Sequence, residues 1–589
     1  MSGTEEGRAF AASAVVAGGG PVQPPWDDEL VSCVVDENVG LPDVAVLTYR
    51  DGSHEMLKDT GITLGSPLEV SVASARTNAK ELLFRGEVTS IELEVDGTGS
   101  YTVLRAMNRA HRLLRGRRVE AFHEMSATAI IRKVAKNAGL TVGKVEAAPI
   151  TYQHISQAGV SDWDFLQTLA REHGTLVRVD DKGVLDFVKP EPASKAPAPT
   201  TSAEKSPYVL EYGRNLMALR AVLGTSEQTG GVEVRGWNQA TKREIVATRK
   251  PQPSKTVVPG LLATKAAKLT SGGKLLAAGT PYATQAEADA AAKALEESLS
   301  AGYGELEAVV EGNPQLRAGI PIALGNVGAA FSGRYTATAV THVIEPNRGY
   351  RTTVLVSASA DRSFAGLVAH DSIPSRGPRM PGLAIAEVTD IKETGNGERG
   401  WVRLRFPWLD DKYVSDWVRT VQLGGVAGGG VFSPDVKDEV LVGFEQGSLD
   451  RPYVLGGLYN GVDKPSKHDQ KLVDGRSGKV NRRSLVNRKG DRLELLDGAA
   501  AQGVRLGSGD DKLEVVLDRK KNELRLIQGG RTGGCSITLS RTGVEIDAGR
   551  GGITLKAGRK VDVSARTGVD IDTGFTGDVV VKGRTIRLN

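Results

Sequence analysis

Eight histidines, two cysteines and a few acid pairs are the residues of this 589-residue chain whose types could do chemistry. His54, His111, His123, His154, His173, His342, His370 and His468 include no H-E-x-x-H pair and no two at metal-ligand spacing. His123–Glu124 stands alone and reads as a loop histidine. Cys33 and Cys535 lie too far apart in sequence to read as a disulfide framework or a metal pair, and a reducing compartment is the default. Asp410–Asp411 and Asp510–Asp511 could serve as general acid and base. Both pairs fall in turns between strands, where Asp bonds its own backbone. Residues 395–400 (GNGERG) satisfy G-x-G-x-x-G, but they join two strands and open no helix, so they read as a hairpin loop. Residues 424–430 (GGVAGGG) lack the Lys-Ser/Thr of a phosphate loop, and no G-x-S-x-G elbow occurs. The expected catalytic, cofactor-binding and metal sites are therefore none.

The elements that would have to carry such a site are mostly short strands. Glycine is abundant, at 71 residues, and aromatics are scarce, at 5%. That balance favours tight turns over large helical cores. At this length three or more domains are expected. A net charge of +4 is too small for a nucleic-acid surface. The basic runs at 112–118 (RLLRGRR) and 481–489 (NRRSLVNRK) are short and carry no aromatics. No stretch reaches the ~20 apolar residues of a membrane helix. The Ala-rich residues 9–19 follow Glu5 and Glu6, where a signal peptide would be basic. Residues 1–22 read as a flexible tail, and any export would use another route.

Residues 23–375 read as mixed α and β. Strand-like runs occur at 31–35, 44–49, 68–72, 81–95 and 101–106. Residues 126–138 carry Ile130, Ile131, Val134 and Ala138 at helical spacing behind a Ser126 cap. Residues 161–173 begin with Ser161 and Asp164 as a capping box and stop at Gly174. A third helix is expected over 284–299, opened by Thr284 and Glu287. Four prolines among small polar residues at 191–207 mark a linker or long exposed loop, and 363–381 form a boundary. Residues 376–462 give five short strands, at 383–391, 401–406, 417–422, 439–444 and 452–459, which suits a small OB-type barrel. A connector is expected at 463–490.

Residues 491–589 differ in kind. Apolar pairs recur between Gly, Asp and Arg turns, among them Leu493/Leu495, Val504/Leu506, Leu524/Leu526, Ile537/Leu539, Val544/Ile546, Ile553/Leu555, Val561/Val563, Val569/Ile571, Val579/Val581 and Ile586/Leu588. From Ile537 onward the first members are 7, 9, 8, 8, 10 and 7 positions apart, a β-helical period. Two branched side chains per repeat cannot offset an ordering cost of about 1–2 kcal/mol per residue in a single chain. Three chains wound together would give every layer three apolar edges, so a homotrimer is expected.

The chain resembles the VgrG family of spike proteins. The likeness rests on residues 402–411 (VRLRFPWLDD), 415–422 (SDWVRTVQ), 432–444 (FSPDVKDEVLVGF) and 450–463 (DRPYVLGGLYNGVD). Upstream, residues 161–174 (SDWDFLQTLAREHG), 312–319 (GNPQLRAG) and 331–335 (FSGRY) look like phage tail-hub segments. The resemblance implies a mainly β fold with some α: hub-like barrels, an OB barrel and an intertwined trimeric β-helix. It implies a non-enzymatic homotrimer that caps an Hcp-like inner tube within a contractile injection particle. Baseplate and hub adaptor proteins would be its other partners, with no nucleic acid, no membrane anchor and no cofactor. It also implies docking of a PAAR-like tip protein at Ile586, Arg587, Leu588 and Asn589. Residues 462–490 are too few for the lysozyme domain some relatives hold there, and the chain given runs to Asn589 just after the last repeat. Made without a signal peptide in the cytoplasm, the protein would travel outward on contraction. The alternatives are a phage tail hub and a carbohydrate-active β-helix enzyme.

Overall fold

The structure, a computed structural model, describes residues 10–17, 20–74, 80–225, 228–261, 273–345, 348–357, 379–380, 382–393, 398–425, 428–529 and 534–587. His370, most of the boundary expected at 363–381 and residues 395–397 of the GNGERG loop lie outside them. The chain divides into two compact units, residues 1–458 and 459–589.

The first unit is built on an eleven-stranded sheet. Its middle is the hairpin Leu30–Asn38 and Leu41–Arg50. The first of these pairs with Ala339–Glu345, and the second with Gly99–Met107. Strands more than 230 residues apart in sequence thus meet on one early hairpin. The expected 81–95 segment is one long strand, Lys80–Asp96. Alternation packs Val35, Ala45, Leu47, Phe84, Val88 and Leu104 into a shared core.

A second core forms around a two-stranded ribbon, β1 (Arg118–Ser126) and β2 (Thr151–Val160), and two helices, α1 (Ala127–Asn137) and α2 (Asp162–His173). The helix starts follow from their caps. The Ser126 hydroxyl accepts from the Ala129 amide at 3.3 Å, and Ser161 accepts from the Asp164 amide at 3.1 Å. Gly174, at φ 62°, ends α2. A third helix, α3 (Gln285–Ala301), is capped by Thr284 and lays Ala288, Ala291, Ala292 and Leu295 on a three-stranded sheet.

The proline-rich stretch 191–207 departs from expectation. Ala193, Ala196 and Ala203 are buried, Arg334 donates to the Pro197 carbonyl at 3.1 Å, and Thr336 donates to the Glu191 carbonyl at 2.7 Å. Small side chains let this polar segment lie close against the strands Pro321–Gly325 and Gly333–Thr336, and Arg334 and Thr336 of the second satisfy its carbonyls.

The barrel contains β3 (Leu383–Asp390), β4 (Arg403–Arg405), β5 (Arg419–Thr420), β6 (Glu439–Phe444) and β7 (Pro452–Gly457), in the sheet order β4-β3-β6-β7-β5. Its core is Val388, Val402, Leu404, Phe406, Tyr413, Val440 and Val442. The ribbon β1–β2 couples it to the helices. Phe122 and Ile155 face the helical core, whereas Val119, Ala121 and Ala158 pack on the barrel. Ser156 and Tyr413 share a buried hydrogen bond of 2.9 Å across this joint.

The second unit contains a seven-stranded antiparallel meander: β8 (Arg482–Val486), β9 (Arg492–Asp497), β10 (Gln502–Gly507), β11 (Leu513–Asp518), β12 (Glu523–Gln528), β13 (Cys535–Ser540) and β14 (Gly543–Asp547). It begins inside the stretch expected as connector. From residue 551 to 587 no strand forms and the residues are exposed, although the apolar alternation continues.

One buried charge cluster in the first unit gives it a pH dependence. Glu37, Asp43 and Asp181 surround Arg317, whose Nε lies 2.5 Å from Glu37 and whose guanidinium also donates to the Leu82 and Leu83 carbonyls. Burial first, then the Glu37 charge, push the Asp43 carboxyl up to about 7, against Arg317 and an Asn108 hydrogen bond that favour the anion. Glu37 and Asp181 are raised in the same direction, mainly by burial. The folded state therefore holds protons that the unfolded chain has released. Stability should fall as pH rises through the interval between the ordinary carboxylate range and about 7. Thermal melts should show a higher first-unit transition at pH 5.5 than at pH 8, and Asp43→Asn should flatten that difference. Equal slopes for parent and variant would contradict it.

Candidate functional site

The residues singled out for chemistry do not converge. Asp410 accepts the Lys412 and Tyr413 amides, and Asp510 accepts the Lys512 amide, so both serve their own turns. The structure does bring together two histidines that spacing had separated. His123 and His154 are directly opposite on β1 and β2, with their Nδ1 atoms 3.1 Å apart, so His123 is a strand residue. Burial and the neighbouring His154 lower the His123 pKa. Cross-strand pairing over an intervening helix left no sequence signal for this contact. Among the described residues no group of three or more His, Cys, Asp or Glu is placed to hold a metal. No helix there is long and apolar enough to cross a membrane.

What the second unit presents is an apolar face. Because side chains alternate and the ladder stays in register, one side of the meander carries two straight rows. The first is Leu485, Leu493, Leu506, Val515, Leu526, Ile537 and Ile546, each opposite the next. The second runs from Arg483 through Leu495, Val504, Leu517, Leu524, Leu539 to Val544. These side chains are open to solvent: Leu506 is 45% exposed, Leu526 40% and Ile546 52%.

The opposite side is polar, and part of it is covered. Residues 467–470 cross β8, β9 and β10 there. Arg492 donates to the Lys467 carbonyl at 3.2 Å, and Arg482 to the Gln470 carbonyl at 2.8 Å. His468 Nδ1 lies 2.5 Å from Glu494, and Arg505 meets Asp469 at 2.9 Å and also pairs with Glu514. Glu494 is 3% exposed and Arg505 9%. The usual order is thus inverted: in this sheet charged residues are buried and leucines face water.

Of the residues expected to dock a tip protein, Ile586 and Arg587 lie in the strandless terminal segment and are exposed. Leu588 and Asn589 fall outside the described residues.

Two family models match the chain. The Alg8 N-terminal domain matches residues 32–346, more than half of the sequence. The type VI secretion system/phage-baseplate injector OB domain matches residues 384–459, the five-stranded barrel. The type VI secretion system spike protein VgrG2a of Pseudomonas aeruginosa is 29% identical over 119 residues, which are 19% of this chain and 14% of that protein. The match thus spans a small part of that relative's own length. Among solved structures, a chain of the half-lidded Francisella PdpA-VgrG complex is similar in fold, with a TM-score of 0.50 and 10% identity over 91% of this chain and 87% of that one. A 43 kDa tail protein of prophage MuSo2 from Shewanella oneidensis has a TM-score of 0.44 and 16% identity, over 59% of this chain and 99% of its own. With an Alg8 N-terminal domain over most of its first unit and an injector OB domain behind it, resembling VgrG spike proteins over a short stretch, the chain belongs to the Alg8 N-terminal domain family.

Proposed function

We propose that this protein is the structural spike of a contractile injection machine, working as a homotrimer. In this reading the first unit is the hub on an Hcp-like inner tube, held by baseplate and adaptor proteins, and the second becomes a needle carrying a PAAR-like tip protein. The observation that carries the proposal is the inverted sheet. Two rows of exposed branched side chains run the length of a meander whose other side is already pinned. Fully burying one such side chain stabilises by about 1.5–3 kcal/mol, so covering these rows supplies the driving force the lone chain lacks. Three copies turned inward would hide the rows at a common axis. Beyond residue 551 the same alternation makes no ladder within one chain, which fits strands that pair only between chains. There the three copies would wind into the intertwined β-helix. The role is mechanical, with no step of bond chemistry assigned to any side chain, and the protein would be carried outward with the particle.

Light scattering of the purified chain at micromolar concentration should give three chain masses. Leu526→Asp tests the face itself. In a chain that stays single, a charge at this half-open site should shift stability by no more than about 0.5 kcal/mol. If the rows are covered by other copies, the trimer should dissociate. A monomeric parent, or an unperturbed trimer in Leu526→Asp, would overturn the proposal. Deleting residues 586–589 should leave the trimer intact and abolish capture of a PAAR-like protein from the same gene neighbourhood; undiminished capture would remove the tip assignment.

A further inference from the structure

The apolar rows have a weakness. From β9 to β14 each strand carries two apolar residues two positions apart on the open face, and a slip of two residues keeps them on that face. Hydrophobic burial alone therefore cannot choose between the observed pairing and its slipped neighbours. We infer that the buried charge cluster on the polar side, with Arg505 at its centre, is the register lock from which the needle is built.

Arg505 stands directly opposite Glu494 on β9 and reaches Glu514 on β11. The crossing segment adds Asp469 to the same guanidinium and His468 to Glu494. Three strands and the crossing segment thus share one cation. Two residues away on either side along β10, the positions on the polar face are Gly503 and Gly507. A two-residue slip of β10 in either direction sets a glycine against Glu494 and withdraws the guanidinium from both carboxylates. Buried charges stripped of a partner are strongly penalised, whereas apolar replacements of a buried ionic group are tolerated and remove only its selectivity. A slip that leaves the apolar side chains on their own face therefore still breaks the cluster on the other. The crossing segment makes the same choice twice, because the Arg482 and Arg492 contacts to its carbonyls also fix which residues of β8 and β9 lie under it.

The inference rests on the trimeric reading only for its consequence, that all three copies must start in one register. It is tested on the full-length chain with Cys535→Ser, using engineered disulfides mapped by mass spectrometry. Leu493→Cys with Leu506→Cys reports the observed register, and Leu493→Cys with Val504→Cys reports a two-residue slip. In the parent cluster the first pair should bridge and the second should not. Replacing the cluster by His468→Leu, Glu494→Leu, Arg505→Met and Glu514→Leu should keep the chain folded, and both pairs should then bridge in comparable yield. Arg505→Met alone should lower the melting temperature of the second unit. Exclusive bridging of the first pair in the apolar background, or bridging of both pairs in the parent, would overturn the lock. Light scattering on the same samples reports the trimer separately, so loss of register and loss of assembly are read independently.

Discussion

A β-sheet has two faces, and a chain that covers the polar one first has left its hydrophobic face for something else to cover. That constraint governs the second unit. Residues 467–470 satisfy Glu494 and Arg505 on the polar side, while Leu506, Leu526 and Ile546 remain open. Among the described residues of the unit, 551–587 form no strand and stay exposed. The stabilising term missing from the single chain is thus of the kind that self-association provides.

The first unit shows the opposite economy. Its early hairpin gathers strands from residues 99–107 and 339–345 into one sheet, and the ribbon β1–β2 shares its two faces between the helical core and the barrel. A ribbon that packs one face on each core joins the two directly, with no linker between them. The residue-level expression of that joint is the buried Ser156–Tyr413 hydrogen bond, whose partners lie on the ribbon and in the barrel.

Much of this was legible in sequence wherever a local rule decided the outcome. The caps at Ser126, Ser161 and Thr284 placed three helices within two residues of their observed bounds. The five barrel strands and the apolar pairs of the meander followed from alternation alone. What escaped depended on contacts between distant residues. Proline content at 191–207 read as a linker or long exposed loop because composition cannot report that Arg334 and Thr336 donate to its carbonyls. The facing of His123 and His154 was hidden by the helix between their strands. The polar side of the meander was invisible for a related reason: apolar spacing announces one face, while the residues that pin the other, His468 and Asp469, lie before the repeat begins.

The central claim is that residues 551–587, strandless in one chain, become ordered only when copies meet. Amide hydrogen exchange measures this most directly. In the assembled protein at micromolar concentration, peptides covering 551–587 should be protected to a degree comparable with β9–β11, and should exchange freely in the Leu526→Asp chain. Free exchange of that segment in the assembled parent would contradict the account.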